Sequence, residues 1–365
     1  MWHSAFRTNH QWHPALCIPS LMPLVSLSRD LPPDAAPLLA DLDRALAGVE
    51  RVFDEHLTSD LPPVADLCRH VSRYRGKMVR PTLVLLAARA ANPSLTFERT
   101  HLALAAVCEM VHMATLVHDD VLDEAATRRR APTVNALRGN EPAVMLGDYL
   151  IAAAYDLCAS LPDVRAARRI ARASMILCEG ELLQLHHRDD WSVDEDTYTE
   201  IVDRKTAELI AASAELGAAY AGADDRAVAA LAAFARHVGI AFQIQDDLLD
   251  LTGAEEVVGK SVARDVQKGK LTLPIIHHLA VSDPARRADT LRLLEGARRR
   301  EAAHLPADAS AALRRALAAT DSIAHARDAA RSRIDAAHAA LGTLAPSPAR
   351  ALLALLADNA LTRTS

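Results

Sequence analysis

The stretch HDDVLDEAATRRR, His118 to Arg130, sets three aspartates within five residues and three arginines close behind them. It follows an apolar run, ALAAVCEMVHMATLV. On a helix, Asp119 and Asp123 lie one turn apart on one face, separated by ~6 Å of rise, with Asp120 rotated about a quarter turn from Asp119. Like charges at that spacing repel and weaken a helix, so something positive should bind there. One reading is a solvated helix end whose Asp and Arg side chains satisfy each other on the surface. The preceding run is too apolar for a surface segment, however, so the carboxylates stand where a buried helix emerges. The arrangement also recurs in FQIQDDLLDLTG, where Asp246, Asp247 and Asp250 repeat the i, i+1, i+4 spacing behind the apolar HVGIAFQIQ. Two such clusters are hard to explain as accidents of surface composition.

The rest of the chain points to an all-α protein. Of 365 residues, 50% are hydrophobic, only 4% aromatic and 13 glycine, with alanine and leucine abundant. Helical periodicity runs through DAAPLLADLDRALAGVERVFDEHL, PPVADLCRHVSRY, PTLVLLAARAA, the segment from Phe97 to Asp123, and PAVMLGDYLIAAAYDLCASL. It continues near 164–187, 193–222 and 226–251, and after the polar SVARDVQKGKLTLP a helix opens at Pro274. Beyond Asp283-Pro284, two or three weaker amphipathic helices are expected, and no strand pattern is visible. Segments such as 102–117 are apolar nearly all round and belong at the centre of a bundle. Residues 1–35, with Pro19 and Pro23 interrupting their apolar part, are expected to be a poorly ordered tail, and 36–365 one large helical domain.

Charge and cysteine usage exclude some classes. A net charge of −6 gives no reason to expect nucleic-acid binding. Five scattered cysteines without CxxC spacing argue against a zinc site and suit a reducing cytoplasm. No run of about 18 uninterrupted apolar residues predicts a membrane span.

Carboxylate oxygens are hard ligands suited to magnesium, which shares its sphere with waters and substrate phosphates. Two aspartate clusters on facing helices would line a mouth able to hold magnesium ions and a diphosphate. An apolar core behind that mouth would take a greasy tail. YRGKMVRP brings Lys77 and Arg80 to a helix start, a favourable anion site. Arg128 and Arg129 offer planar phosphate ligands. His112 lies two turns before Asp119 on roughly the same face; a satisfied core histidine is the plainer reading of it. Lys205, opening an apolar stretch beside Thr206, should meet an anion, for which Asp203 or Glu208 could serve. Lys260 and Lys270 flank Asp265 in a polar loop that is either merely solvated or a basic lid over a diphosphate.

The order GKxxRP (Gly76 to Pro81), HDDVLDxxxxRR (His118 to Arg129), GDYL (Gly147 to Leu150), EGELLQL (Glu179 to Leu185), KTA (Lys205 to Ala207), FQIQDDLLD (Phe242 to Asp250) and GK…D…GKLTLP (Gly259 to Pro274) resembles the trans-isoprenyl diphosphate synthases. The resemblance covers the chain from about residue 36 onward. It implies an all-α fold around a large central apolar cavity, a homodimer, and head-to-tail condensation of isopentenyl diphosphate with an allylic diphosphate. By motif, Asp119, Asp123 and Asp246 would be magnesium ligands, supported by Asp120, Asp247 and Asp250. Arg128, Lys205 and Lys260 would hold the allylic diphosphate, with Thr206 and Gln243 close by. Gly76, Lys77, Arg80, His112 and Arg129 would form the isopentenyl diphosphate site. Arg130 stands where the family usually has glycine, and Ala263-Arg264 replaces a Gly-Ser type step; both bear on loop geometry rather than reaction class.

A terpene cyclase on the same scaffold often loses the second cluster, and a non-catalytic partner subunit would lose aspartates from one or both. Here both clusters are complete. In the resembling family, the position five before the first aspartate acts as a floor for the growing chain, and an aromatic ring there stops it early. That residue is Ala114, and Phe, Tyr and Trp are absent between Phe97 and Asp119. Helix arithmetic puts Thr115 closer to the face of Asp119, so the two are read as a joint floor. The expected product is six to ten isoprene units long and membrane-seeking.

Overall fold

The computed structural model describes residues 35–74, 76–129, 131–252, 264–298 and 307–362. Helix α1 (Ala36–His56) and α2 (Pro62–Val71) lead into α3 (Val79–Ala91) and α4 (Arg99–Leu122). A capping box starts α4, in which the Glu98 side chain takes the third residue's N–H and His101 Nδ1 accepts from Glu98 N–H at 3.2 Å. Because α4 is apolar on every side, it can be buried all round, and 14 of its 24 residues are. It packs against α1, α3, α6 (Asn140–Ala159) and α9 (Glu208–Tyr220) as the central helix of the bundle.

Between α4 and α6 the chain makes a two-residue antiparallel hairpin, β1 (Thr127–Arg128) with β2 (Ala131–Pro132), and a short α5 (Val134–Arg138). The hairpin departs from the reading that no strand exists. Four residues are too few for periodicity to reveal. The second half comprises α7 (Arg165–His186), α8 (Glu195–Val202), a π-turn (Asp203–Ala207), α10 (Asp225–Thr252), α11 (Arg264–Gln267) and α12 (Leu273–Val281). The single helix expected over 193–222 is thus three pieces. Among the described residues four helices follow Asp283, one more than expected: α13 (Pro284–Arg298), α14 (Ala307–Ala318), α15 (Ser322–Leu341) and α16 (Pro348–Thr362).

One continuous apolar core joins α1, α3, α4, α6, α7, α9, α10, α15 and α16. Two smaller clusters, around Leu251–Ile275–Leu317 and around Tyr198–Ile244–Leu273, pack the second half beneath the end of α10. Helices α4, α6 and α10 are by length and composition apolar enough to cross a membrane, although Glu109, Asp148 and Arg236 interrupt their apolar runs. In this fold α4 is packed inside the bundle, with 72% of its most apolar stretch buried. Helix α6 instead leaves Val144, Met145 and Tyr155 exposed, and the neighbouring α7 leaves Met175 and Leu182.

Candidate active site

The C-terminal turn of α4 separates its three aspartates by environment. Asp119 and Asp123 are partly accessible, whereas Asp120 is 1% exposed. Asp120 is held by Arg128, returned by the hairpin: Nε lies 2.9 and 3.0 Å from the two carboxylate oxygens and Nη2 2.8 Å from Oδ1. That two-pronged pairing commits Arg128 to a carboxylate and orients it at the mouth. Burial raises the carboxyl of Asp120, with Arg128 opposing. Burial also raises Asp119, partly offset by Lys205.

The end of α10 repeats the division. Asp246 is exposed and Asp247 is 5% exposed. Tyr198 of α8 donates to Asp247 Oδ2 at 2.6 Å, and Gln243 Nε2 donates to Oδ1 at 2.9 Å. Burial, reinforced by Asp265, pushes Asp247 well above the usual carboxylate range. Thr206 Oγ1 donates to Gln243 Oε1 at 2.9 Å, and Asp250 Oδ2 accepts Asp265 N–H at 3.3 Å. Both clusters therefore offer accessible carboxylates backed by a buried, hydrogen-bonded one.

Lys205 and Thr206 stand on the π-turn, where one extra residue per turn re-aims side chains. Its neighbours enforce the irregular backbone. A β-carbon on Gly180 of α7 would lie 2.7 Å from Lys205 N, and one on Gly239 of α10 2.8 Å from Ala207 Cα. Two glycines let α7 and α10 close on the turn from both sides. Lys205 pairs with Glu181 of α7, and burial of its ammonium is outweighed by Asp119 and Glu181, which raise it. A cleft of about 120 Å³ opens here, lined by Tyr198, Lys205, Thr206, Gln243, Asp247 and Lys270 among others.

A second group of basic residues gathers around His112 of α4. Arg129 adopts φ +50°, donates to the Tyr74 carbonyl, and lies so close over Gly76 that a β-carbon there would overlap its guanidinium. Arg80 Nε is buried with no hydrogen-bond partner among the described residues. Burial lowers Arg80, opposed by Glu109, a carboxylate 3% exposed inside the bundle. His112 is lowered well below the usual range by burial and then by Arg80, Arg129 and Arg128, so it is neutral. Lys77 is exposed, just before Met78, which caps the start of α3.

Lys260, Arg130 and Ala263 lie outside the described residues. Of the two residues expected to form the floor, Ala114 has no exposed surface, while Thr115 is partly accessible on the face shared by His112 and Asp119. Glu181 lay inside a recognised motif without a role. Lys268 also belongs to the site, and its signal in the sequence is the pattern Lys-Gly-Lys in a polar loop. Lys270, read as a lid residue, reaches Asp123 at 3.1 Å, and Lys268 reaches it at 2.7 Å.

Hard carboxylate donors, accessible at the ends of both α4 and α10, fit a divalent cation. Among the described residues no three His, Cys, Asp or Glu side chains converge as a complete ligand cage. Magnesium does not demand one, since it commonly takes one or two carboxylates and completes its sphere with water and substrate phosphate.

Comparison with known proteins agrees with this geometry. The Polyprenyl synthetase family profile matches residues 62–310. The chain is 41% identical to heptaprenyl diphosphate synthase component 2 of Geobacillus stearothermophilus, over 64% of this chain and 72% of that one. It is 35% identical to nonaprenyl diphosphate synthase of Mycobacterium tuberculosis, over 87% and 92%. The polyprenyl synthase of Caulobacter crescentus CB15, solved with calcium and isoprenyl diphosphate, superposes with a TM-score of 0.81 at 33% identity, covering 94% and 98%. A profile match across most of the helical bundle, on a fold that carries two aspartate clusters at one end, leaves a single assignment: the chain belongs to the polyprenyl synthetase family.

Proposed function

We propose that this protein condenses isopentenyl diphosphate head-to-tail with an allylic diphosphate, with magnesium, to give a linear all-trans polyprenyl diphosphate of six to ten units. The observation that carries this reading is the pair of matched carboxylate clusters, each with accessible aspartates over a buried one, beside two separate groups of cations. Asp119, Asp123 and Asp246 would hold the metal, which when bound supplies positive charge to a leaving diphosphate. Lys205, held at the mouth by the π-turn, adds a fixed cation on the allylic side; Arg128 braces Asp120. Gly76, Lys77, Arg80, Arg129 and neutral His112 bind the isopentenyl diphosphate, and the buried, unpartnered Nε of Arg80 suits an anion there. The homoallylic double bond attacks the allylic cation, and the departed diphosphate takes the proton. A protein base is unnecessary.

The names of the relatives (heptaprenyl and nonaprenyl diphosphate synthases) support a product longer than four units. Thr115, accessible beside Asp119, is the floor residue that meets the chain, with Ala114 packed behind it. The exposed apolar residues of α6 and α7 suit a homodimer contact. A relative called component 2 raises a separate partner subunit as the other occupant of that face. The four described cysteines are free thiols, consistent with residence in the cytoplasm. The test is incorporation of labelled isopentenyl diphosphate into an extractable lipid by the purified chain alone, eluting as a dimer. Incorporation requires farnesyl diphosphate and magnesium and stops with a chelator; incorporation unaffected by chelation, or none without a second protein, refutes the corresponding part.

A further inference from the structure

The segment Lys268-Gly269-Lys270 is tied down at both ends of the mouth. On one side its two ammonium groups converge on a single carboxylate, Lys268 Nζ at 2.7 Å from Asp123 Oδ2 and Lys270 Nζ at 3.1 Å from Oδ1. On the other, Asp189, in the loop after α7, donates its N–H to the Gly269 carbonyl at 2.9 Å. Gly269 and Asp189 both adopt left-handed backbone, φ +70° and +65°, and a β-carbon on Gly269 would overlap the Asp189 carboxylate. Within the segment, Lys268 and Lys270 N–H groups both bond the Asp265 carbonyl, at 3.1 and 2.9 Å. The result is a short rigid strap across the mouth, from the end of α4 to the end of α7.

The geometry points to a cation exchange at Asp123: Lys268 and Lys270 occupy the metal's place on this carboxylate, and metal loading displaces them, frees the strap and hands both ammonium groups to the substrate diphosphate. This rests on the reading of Asp123 as a metal ligand. A carboxylate has four lone-pair sites, and two ammonium donors and a divalent cation cannot all approach them without strong like-charge repulsion. Displaced only a few ångströms, the lysines would face the space between the two aspartate clusters, where a diphosphate carries the charge they lose. The same two residues therefore oppose metal alone and favour metal with diphosphate.

The opposite signs are testable with Mn²⁺ as the probe, followed by its EPR signal, first alone and then with inorganic pyrophosphate. In Lys268→Ala/Lys270→Ala, Mn²⁺ alone should bind about tenfold more tightly than in wild type and Mn²⁺–pyrophosphate about tenfold more weakly, as expected for charge-assisted hydrogen bonds gained and lost. Hydrogen exchange separates displacement from a simple change of local charge. In wild type, Mn²⁺ alone should speed exchange of the Asp189 N–H, whereas in the double variant that amide exchanges fast without metal. If the double variant does not fold, Lys268→Ala carries the test. Asp123→Ala should lose Mn²⁺ binding. If it does, but the lysine variant binds Mn²⁺ no more tightly or metal leaves Asp189 exchange unchanged, the exchange mechanism is wrong and the metal assignment stands. Wild-type Mn²⁺ binding in Asp123→Ala would overturn both.

Discussion

Gly180 and Lys205 touch through backbone: a β-carbon on Gly180 would stand 2.7 Å from the Lys205 nitrogen. The π-turn that carries Lys205 has no room to retreat, because Gly239 backs it almost as closely, a β-carbon there standing 2.8 Å from Ala207 Cα. Gly180→Ala should therefore push the turn and misplace the lysine. Overpacking of this kind costs about 1–3 kcal/mol of stability. Turnover should fall by roughly tenfold or more, as expected when a charged group leaves its transition-state position. Circular dichroism melting and steady-state kinetics check both. Normal turnover in a folded Gly180→Ala would mean that Lys205 needs no such placement.

Gly76 makes the matching prediction for the second site. An added methyl collides with the Arg129 guanidinium, which lies over the glycine and donates to the Tyr74 carbonyl. Gly76→Ala should raise the Michaelis constant for isopentenyl diphosphate and spare the allylic one, a loss of binding more than of chemistry. Arg80→Ala should behave alike. An effect confined to the allylic constant would refute the division of sites.

Asp119 separates catalysis from stability. Its carboxyl is raised by burial, so the apo protein gains little from its charge. Asp119→Ala should melt at or above the wild-type temperature, yet lose about 10²–10³ in turnover, the range for removing one electrostatic stabiliser. Near-normal turnover at saturating magnesium would sink the metal role.

Acid sensitivity follows from the histidines. His112 is lowered well below its ordinary value, and His101, His237, His277 and His278 are also lowered, burial being the largest cause in each. The unfolded chain takes up these protons below about pH 6.5, where the folded chain does not, so stability falls as pH drops. Each such histidine contributes a slope of at most about 1.4 kcal/mol per pH unit between its unfolded and folded values. The melting temperature should be lower at pH 5.5 than at 7.5, and His112→Gln should narrow the difference. An unchanged difference would mean that His112 takes up its proton as readily in the folded chain as in the unfolded one.

Most of the site was legible because it follows from short spacing. The i, i+1, i+4 aspartates, placed where apolar helices emerge, reveal both clusters without tertiary information. The π-turn was not legible: the apolar pattern runs on from Ile201 to Leu216, and one inserted residue is absorbed without breaking it. Contacts between distant segments were equally hidden. Lys270 meets Asp123 across 147 residues and Tyr198 meets Asp247 across 49, and nothing near either residue specifies its partner. Helix geometry alone gives direction and not packing, so the sequence cannot tell Ala114 from Thr115; burial separates them.

Product length tests the account most directly. Purified protein is incubated with isopentenyl diphosphate, farnesyl diphosphate and magnesium, and the dephosphorylated products are sized for wild type, Thr115→Phe and Ala114→Tyr. Wild type should give six to ten units and Thr115→Phe should shorten them, since its ring enters accessible space beside Asp119. Ala114→Tyr must force its ring out of a fully packed position, so it should both shorten the product and lower the melting temperature. Wild-type products of four units or fewer, or no shortening in either variant, would contradict the account.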